Sequence, residues 1–428
     1  MRSWSSWAMW LVVVVFVVVS TASICSANDD IVFDTRLVFV TSVSGTGNLG
    51  DAASWPDNGG FTGLAAADAV CQARASAAGL SRPGDFVAWM SDSGNDAYCR
   101  AHGYTGTVAG NCGGLPSLPS FAGPWLRTDG HPFAEVIEEM LDPIGRVYVP
   151  ARLDEFGAPS LEYHHFTATY GSGIYFVSPS AACADWTAAP TDVVLVGGTR
   201  TSTHSWTSYG TTSCSAVRPL LCMQAGTAAP LPSILNYGAL AFVTSVRGQG
   251  RLQDWPDADG QLGVAAADAI CRNRAAAGGL RWPDQFKAWI SSSTENAADR
   301  IGFSGPWVRL DGVVVAQSKT DLLDGEIFGP INQDEYGAYG SSSYVLTGTD
   351  SSGIWGTEDC SGWSSALSTD FATSGRANDV MRWTDQGSHN QCDRQARLYC
   401  LSEVENGPVV FFDGFETNST AAWTTTIP

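Results

Sequence analysis

Charge is scarce in this sequence, and positive charge most of all. Only 15% of residues are charged, and 23 Lys and Arg face 43 Asp and Glu, for a net charge of −20. So acidic a chain repels phosphate backbones and anionic lipid, which argues against nucleic acid as a partner. There are six histidines, and they are scattered apart from the His164-His165 pair. No two cysteines form a C-x-x-C, so the spacing of a zinc knuckle or ribbon is missing. No serine sits in a G-x-S-x-G elbow, so the commonest serine-hydrolase signature is missing too. Beyond the first thirty residues no long apolar run occurs, and no membrane span is expected in the mature chain.

Those first residues read as a secretory leader. Arg2 precedes an apolar run from about Met9 to Val19, and small residues follow up to Ala27. This layout predicts a signal peptide over 1–27 with cleavage after Ala27. Lipid modification of Cys25 would need a small residue before it, and Ile24 stands there. Apolar residues make up 44% of the chain, enough to build folded cores. An even set of ten cysteines remains after the leader: Cys71, Cys99, Cys112, Cys183, Cys214, Cys222, Cys271, Cys360, Cys392 and Cys400. In an exported chain that count implies disulfides.

The chain also repeats itself. LVFVTSV from Leu37 returns as LAFVTSV from Leu240, and Trp55-Pro56-Asp57 returns as Trp255-Pro256-Asp257. LAAADAVC ending at Cys71 matches VAAADAIC ending at Cys271, and GPWLRTDG from Gly123 matches GPWVRLDG from Gly305. DEFGA from Asp154 matches DEYGA from Asp334, and Cys183-x-x-Trp186 matches Cys360-x-x-Trp363. The order is kept, so this is a tandem duplication with an offset of about 200 residues. It predicts one domain over 33–224, a proline-stiffened linker over 225–237, a second domain over 238–403 and a tail over 404–428. Within each copy the sequence predicts an opening strand, a helix (Leu64 to Ala78, stopped by Gly79), and a strand over Phe86–Met90. Hairpin turns are expected at Asp129-Gly130 and Asp311-Gly312. Between Ser91 and Gly123 the first copy has about 18 residues that the second lacks. A local Cys99–Cys112 bridge would pin that insertion, which is expected to be a surface ornament.

The run ADAVCQARASAAGLSRPGDFVAWMSDS, then GPWLRTDG, VLTGTDSSGIWGTEDCSGW and CDRQARLYC, resembles the endostatin-like domain of the C-type-lectin-like superfold. The resemblance covers nearly all of both copies and is nearest to a bacterial branch that includes surface lipoproteins of spirochaetes. It implies an α+β fold: two tandem C-type-lectin-like domains with nested disulfides. Four shared cysteines allow three pairings. The resemblance favours Cys71 with Cys222 and Cys183 with Cys214, then Cys271 with Cys400 and Cys360 with Cys392. It further implies a secreted or cell-surface protein that binds extracellular proteins or glycans in the manner of an adhesin, and the tail FFDGFETNSTAAW resembles short C-terminal tails on exported proteins of Gram-negative bacteria, which places the chain in their envelope or beyond it. Departures limit the transfer. The clustered arginines that serve heparin binding in animal endostatin are absent here, and so are its N-terminal zinc-binding histidines. The calcium-dependent sugar motifs of true C-type lectins are missing as well, with Trp206-Thr207-Ser208 and Trp383-Thr384-Asp385 near one of their places.

No catalytic or metal residue is assigned, the ligand-contact residues are unknown, and no cofactor is expected. Asp154-Glu155 and Asp334-Glu335 are adjacent acids followed by a glycine, and they read as turn residues rather than a glycosidase pair. His164-His165 becomes Tyr344-Val345 in the second copy, which speaks against a metal site. Asp257-Ala258-Asp259-Gly260 has Leu262 at the sixth position, where a calcium loop of the EF-hand type needs glycine. An irregular Ca²⁺ site there stays open. The duplicated tryptophans read as core, and Arg127 and Arg309 as members of local ion pairs. A binding protein that is not an enzyme is therefore the expectation. A carbohydrate-binding lectin is the alternative, and an envelope hydrolase the weaker one.

Overall fold

A computed structural model describes residues 35–406, apart from 177–180, 190, 232–233, 235 and 341–342. The expected leader and nearly all of the expected tail lie outside the described residues. Elements of the first repeat are β1 (Arg36–Val40), α1 (Gly63–Ala77), β2 (Phe86–Ala88), β3 (Trp125–Arg127), β4 (Pro132–Ala134), β5 (His164–Phe166), β6 (Val193–Gly198), β7 (Gly210–Ser213) and β8 (Leu221–Gln224). The second repeat follows the same order: β9 (Ala239–Val243), α2 (Gly263–Ala277), β10 (Phe286–Ala288), β11 (Trp307–Val308), β12 (Val314–Ala316), β13 (Tyr344–Leu346), β14 (Phe371–Arg376), β15 (His389–Gln391) and β16 (Tyr399–Ser402).

Each repeat folds its strands into a five-stranded and a three-stranded sheet, in orders β2-β8-β1-β3-β4 and β5-β6-β7, then β10-β16-β9-β11-β12 and β13-β14-β15. The architecture is α+β. In both copies the first strand lies between the last, antiparallel to it, and a third that runs parallel. Side chains alternate along a strand. Accordingly, Phe39 enters one core with Trp55, Val70 and Trp186, while Val38 and Val40 enter another with Trp89, Trp125 and Trp206. Burial on both faces explains why the opening strand is apolar from Leu37 to Val40 instead of alternating.

Helix α1 lays Leu64, Ala67, Cys71 and Ala75 against the sheet, and these small side chains let it approach closely. Gly79 follows its end at φ +69°, a backbone that glycine adopts without penalty. Asp68 on the helix accepts the N–H of Ala88 at 2.9 Å and pairs with Arg100. Asp268 repeats this with Ala288 and Arg300. Disulfides Cys71–Cys222 and Cys271–Cys400 join each helix to the last strand of its repeat. Cys183–Cys214 and Cys360–Cys392 lie within that interval, and Cys99–Cys112 closes the insertion. No described helix is long and apolar enough to cross a membrane.

The two repeats meet through matching residues. The registers of β5 on β6 and β13 on β14 make Arg200 the counterpart of Asn378, and Ser202 that of Val380. Ser202 N–H donates to the Asn378 carbonyl at 2.8 Å, and Val380 N–H to the Arg200 carbonyl at 3.2 Å, around a Thr201–Asp379 bridge. Equivalent groups thus exchange equivalent bonds across a pseudo-two-fold axis. Nearby, Phe328 packs against the His131 ring (4.5 Å between centroids) and under the Arg127 guanidinium (4.9 Å). Arg152 pairs with Glu326. The segment between the repeats is tied to the first of them: Ala228 N–H donates to the Gly123 carbonyl at 2.7 Å, and Leu231 N–H to Glu135 Oε1 at 3.0 Å.

Candidate functional site

One polar constellation occurs in both repeats and reaches the surface. It is built from the residue pair after the first strand, an arginine on the helix and the Asp-Glu-aromatic turn. In the first repeat Ser42 N–H donates to Glu155 Oε2 at 2.9 Å, and Arg74 Nε donates to Glu155 Oε1 at 2.6 Å. Ser42 Oγ also donates to Glu155 and receives Arg74 Nη2 at 2.8 Å. The Arg74 guanidinium lies over the Phe156 ring at 5.6 Å from its centroid. In the second repeat Ser245 N–H reaches Glu335 Oε2 at 2.8 Å, and Arg274 Nε reaches Glu335 Oε1 at 2.8 Å. Arg274 lies 5.6 Å from the Tyr336 ring centroid and donates to the Tyr336 hydroxyl at 2.9 Å.

Burial separates the roles. Glu155 is 1% and Glu335 0% exposed, while Phe156 and Tyr336 are 59% and 52% exposed. The glutamate is an internal anchor, and the aromatic ring faces outward. Partial burial works against charge on Arg74. The hydrogen bond and field of Glu155 outweigh it and hold the guanidinium above its ordinary pKa. The preceding aspartate shapes the turn: Asp154 Oδ1 accepts the N–H groups of Phe156 and Ala158, both at 2.9 Å. Asp334 does the same for Tyr336 and Ala338. Gly157 and Gly337 adopt φ +82° and +81°, which closes the turn. The adjacent acids therefore point apart, one inward and one along the backbone. Two carboxyls facing each other across a substrate is not an arrangement they form.

The other residues singled out in the sequence are placed as follows. Trp89, Trp125, Trp186 and Trp206, with Trp289, Trp307, Trp363 and Trp383, are all buried, as are Trp55 and Trp255. Their indoles mostly bond the backbone or a threonine, as in Trp186 Nε1 to the Ser91 carbonyl at 2.8 Å and Trp363 Nε1 to Ser291 at 2.9 Å. Arg127 pairs with Asp129, and Arg309 with Asp311 at 2.6 Å. His165 is fully buried and His164 half-buried. Burial, then the field of His164, pushes the His165 imidazole down to about 3. Burial, then Arg218 and Arg382, pushes His164 down to about 4. Among the described residues no group of three His, Cys, Asp or Glu gathers as a metal set. In the Asp257–Gly260 loop, Asp259 accepts Asn273 at 2.8 Å and Asp257 pairs with Arg274 at 3.5 Å. One shallow cleft beside Arg247, Trp255 and Gln395 holds about 190 Å³, below the 300–1,000 Å³ or so usual for small-molecule sites.

Sequence reasoning saw the Asp-Glu turns but missed their partners Ser42 and Arg74. The signal was present, since Ser245 and Arg274 recur at the matching places in the second repeat. No protein-family model matches the chain, and comparison with curated proteins returns no match.

Proposed function

We propose that this protein is a non-enzymatic binding protein, adhesin-like, that engages extracellular proteins or glycans through loops of two endostatin-like domains of the C-type-lectin-like superfold. The observation that carries this reading is the doubled outward aromatic. Phe156 and Tyr336 occupy the same turn of each repeat, exposed, and each lies over an arginine fixed by a buried glutamate. Exposed aromatics on a rigid base serve as contact residues at little cost in conformational freedom. Two such contacts on one chain raise avidity for a repetitive ligand. Five disulfides fit an oxidising, extracellular compartment. The sequence resemblance to endostatin-like domains supports the fold assignment, and the expected leader supports export.

The lectin reading is the second one, because an exposed ring is also the surface on which a sugar face packs. The test is to present the oxidised protein to immobilised matrix proteins, complement regulators and a glycan array, with and without Ca²⁺. Saturable binding that drops about tenfold or more in Phe156→Ala/Tyr336→Ala is the expected result. Calcium-dependent glycan binding would select the lectin. Binding indifferent to both substitutions would remove the proposed contact.

A further inference from the structure

The first repeat carries a surface that the second does not. Its insertion, closed by Cys99–Cys112, returns across the end of the repeat. The Tyr98 hydroxyl donates to the Pro119 carbonyl at 2.6 Å, and Phe121 N–H to Glu138 Oε1 at 3.0 Å. The loop over 170–174 is fastened to the same place. Tyr98 N–H donates to the Gly173 carbonyl and Asp142 N–H to the Gly171 carbonyl, both at 3.0 Å. Leu118, Phe121, Ile144, Tyr170 and Ile174 lie in or beside these tied segments, exposed by 38%, 66%, 42%, 40% and 38%.

Three observations set this face apart from incidental apolar exposure. Phe121 holds its backbone at φ +63°, a region unfavourable for a residue with a side chain, while its ring stays in solvent. Such strain persists where the surroundings enforce it. The second repeat lacks the insertion and the Pro143-Ile144 pair, and Asp350 stands where the first has Tyr170, while Ile354, the counterpart of Ile174, is exposed there as well. The second repeat therefore keeps one exposed apolar residue where the first has five. Finally, the rim is acidic. Glu138 and Asp142 border the patch, and no Lys or Arg occurs from Ala101 to Leu126. Clustered exposed apolar residues with a polar rim mark interaction surfaces.

We infer that the insertion face of the first repeat docks a polypeptide segment of a partner protein whose apolar side chains are flanked by lysine or arginine. Charge selects this occupant. The rim is acidic and the chain carries 43 acidic against 23 basic residues, which attracts a basic segment and repels anionic lipid and acidic glycans. The inference rests on the binding-protein reading but uses a surface separate from Phe156 and Tyr336. The disulfide-closed insertion is then the recognition element, and the two repeats are not interchangeable.

The probe is a labelled 18-residue amphipathic Leu/Lys peptide, with a Leu/Glu peptide of the same pattern as control, titrated into the full oxidised chain. The expected result is saturable binding of the Lys peptide only, weakened about tenfold or more in Phe121→Ser/Ile174→Ser. Phe156→Ala/Tyr336→Ala should leave it unchanged, so failure of the shared aromatic contact and failure of this one are distinguishable. Ile144→Asp/Tyr170→Asp places charge in the patch, Asp being the second repeat's residue at the place of Tyr170, and it decides the matter should the first variant misfold by circular dichroism. Equal binding of both peptides, no binding of either, or full binding by the patch variants would overturn the inference. Capture of the protein by zwitterionic phosphatidylcholine vesicles, lost in the same variants, would overturn it in favour of lipid.

Discussion

His165 shows how a single position can hold a pH dependence. It is fully buried in β5, neither ring nitrogen has a hydrogen-bond partner among the described residues, and valine fills the matching place in β13. In the unfolded chain the imidazole titrates near pH 6.5, roughly its ordinary value, whereas burial in the fold lowers it to about 3. As pH falls, the unfolded state therefore takes up the proton first. This contribution to stability is level above about pH 6.5 and declines by about 1.4 kcal/mol per unit below it, levelling off near the folded pKa of about 3. Urea unfolding of His165→Val should show a gain over the parent that grows by about 2 kcal/mol between pH 7 and pH 5. A gap independent of pH would mean that His165 is not held neutral. The sequence exposed the substitution of Tyr344-Val345 for His164-His165, but not the burial. Two adjacent histidines in a strand face opposite ways, and only packing decides which is enclosed.

At the scale of elements, small residues and bridges set what each strand can bear. Gly375 in β14 has no room for a β-carbon, because the Trp383 carbonyl stands against its α-carbon, and Gly197 in β6 meets the Trp206 carbonyl in the same way. Gly375→Ala must shift backbone, so a loss of several kcal/mol, about 3 or more, is expected in thermal unfolding. The Cys99–Cys112 bridge closes a separation of 13 residues. Cys99→Ser/Cys112→Ser should cost up to about 3 kcal/mol on the loop-entropy model, while the far-ultraviolet circular dichroism stays that of the parent. Much at this scale was legible beforehand. Helix α1 ends at Ala77, with Gly79 just beyond it, and the hairpin glycines Gly130 and Gly312 take φ +83° and +80°. Strand β2 is shorter than the expected run and stops at Ala88, although Trp89 N–H still bonds the Leu221 carbonyl of β8 at 2.8 Å. The three-stranded sheets were harder to foresee. Their strands are short, and β6 ends in glycines, so alternation gives little signal there.

The whole molecule depends on contacts that no local pattern reveals. Residues of the seam are far apart in sequence and chemically unlike, as Ser202 with Asn378 or Phe328 with Arg127, so self-similarity shows two repeats without showing that they touch. Tyr163 OH donates to Asp379 Oδ2 at 2.9 Å, and Arg382 from the second repeat covers the Tyr163 ring at 4.4 Å. Asn332 Nδ2 reaches Ser202 Oγ at 2.9 Å in a fully buried position. Such coupling predicts one calorimetric transition for the intact protein and two separable ones in Phe328→Ala/Asn378→Ala. A single undiminished transition in that variant would place the coupling elsewhere.

The pairing of Ser202 with Asn378 and of Val380 with Arg200 has the form of a contact between two copies of one surface. Between free molecules such a contact dissolves on dilution, because each half must find the other. Joined head to tail by a short segment fastened at Gly123 and Glu135, the halves meet at a local concentration fixed by the chain itself. The assembly is then as complete at vanishing abundance as in a crowded solution. That independence from concentration would preserve the spacing of Phe156 and Tyr336 in a protein exported as proposed, after every other copy has diffused away.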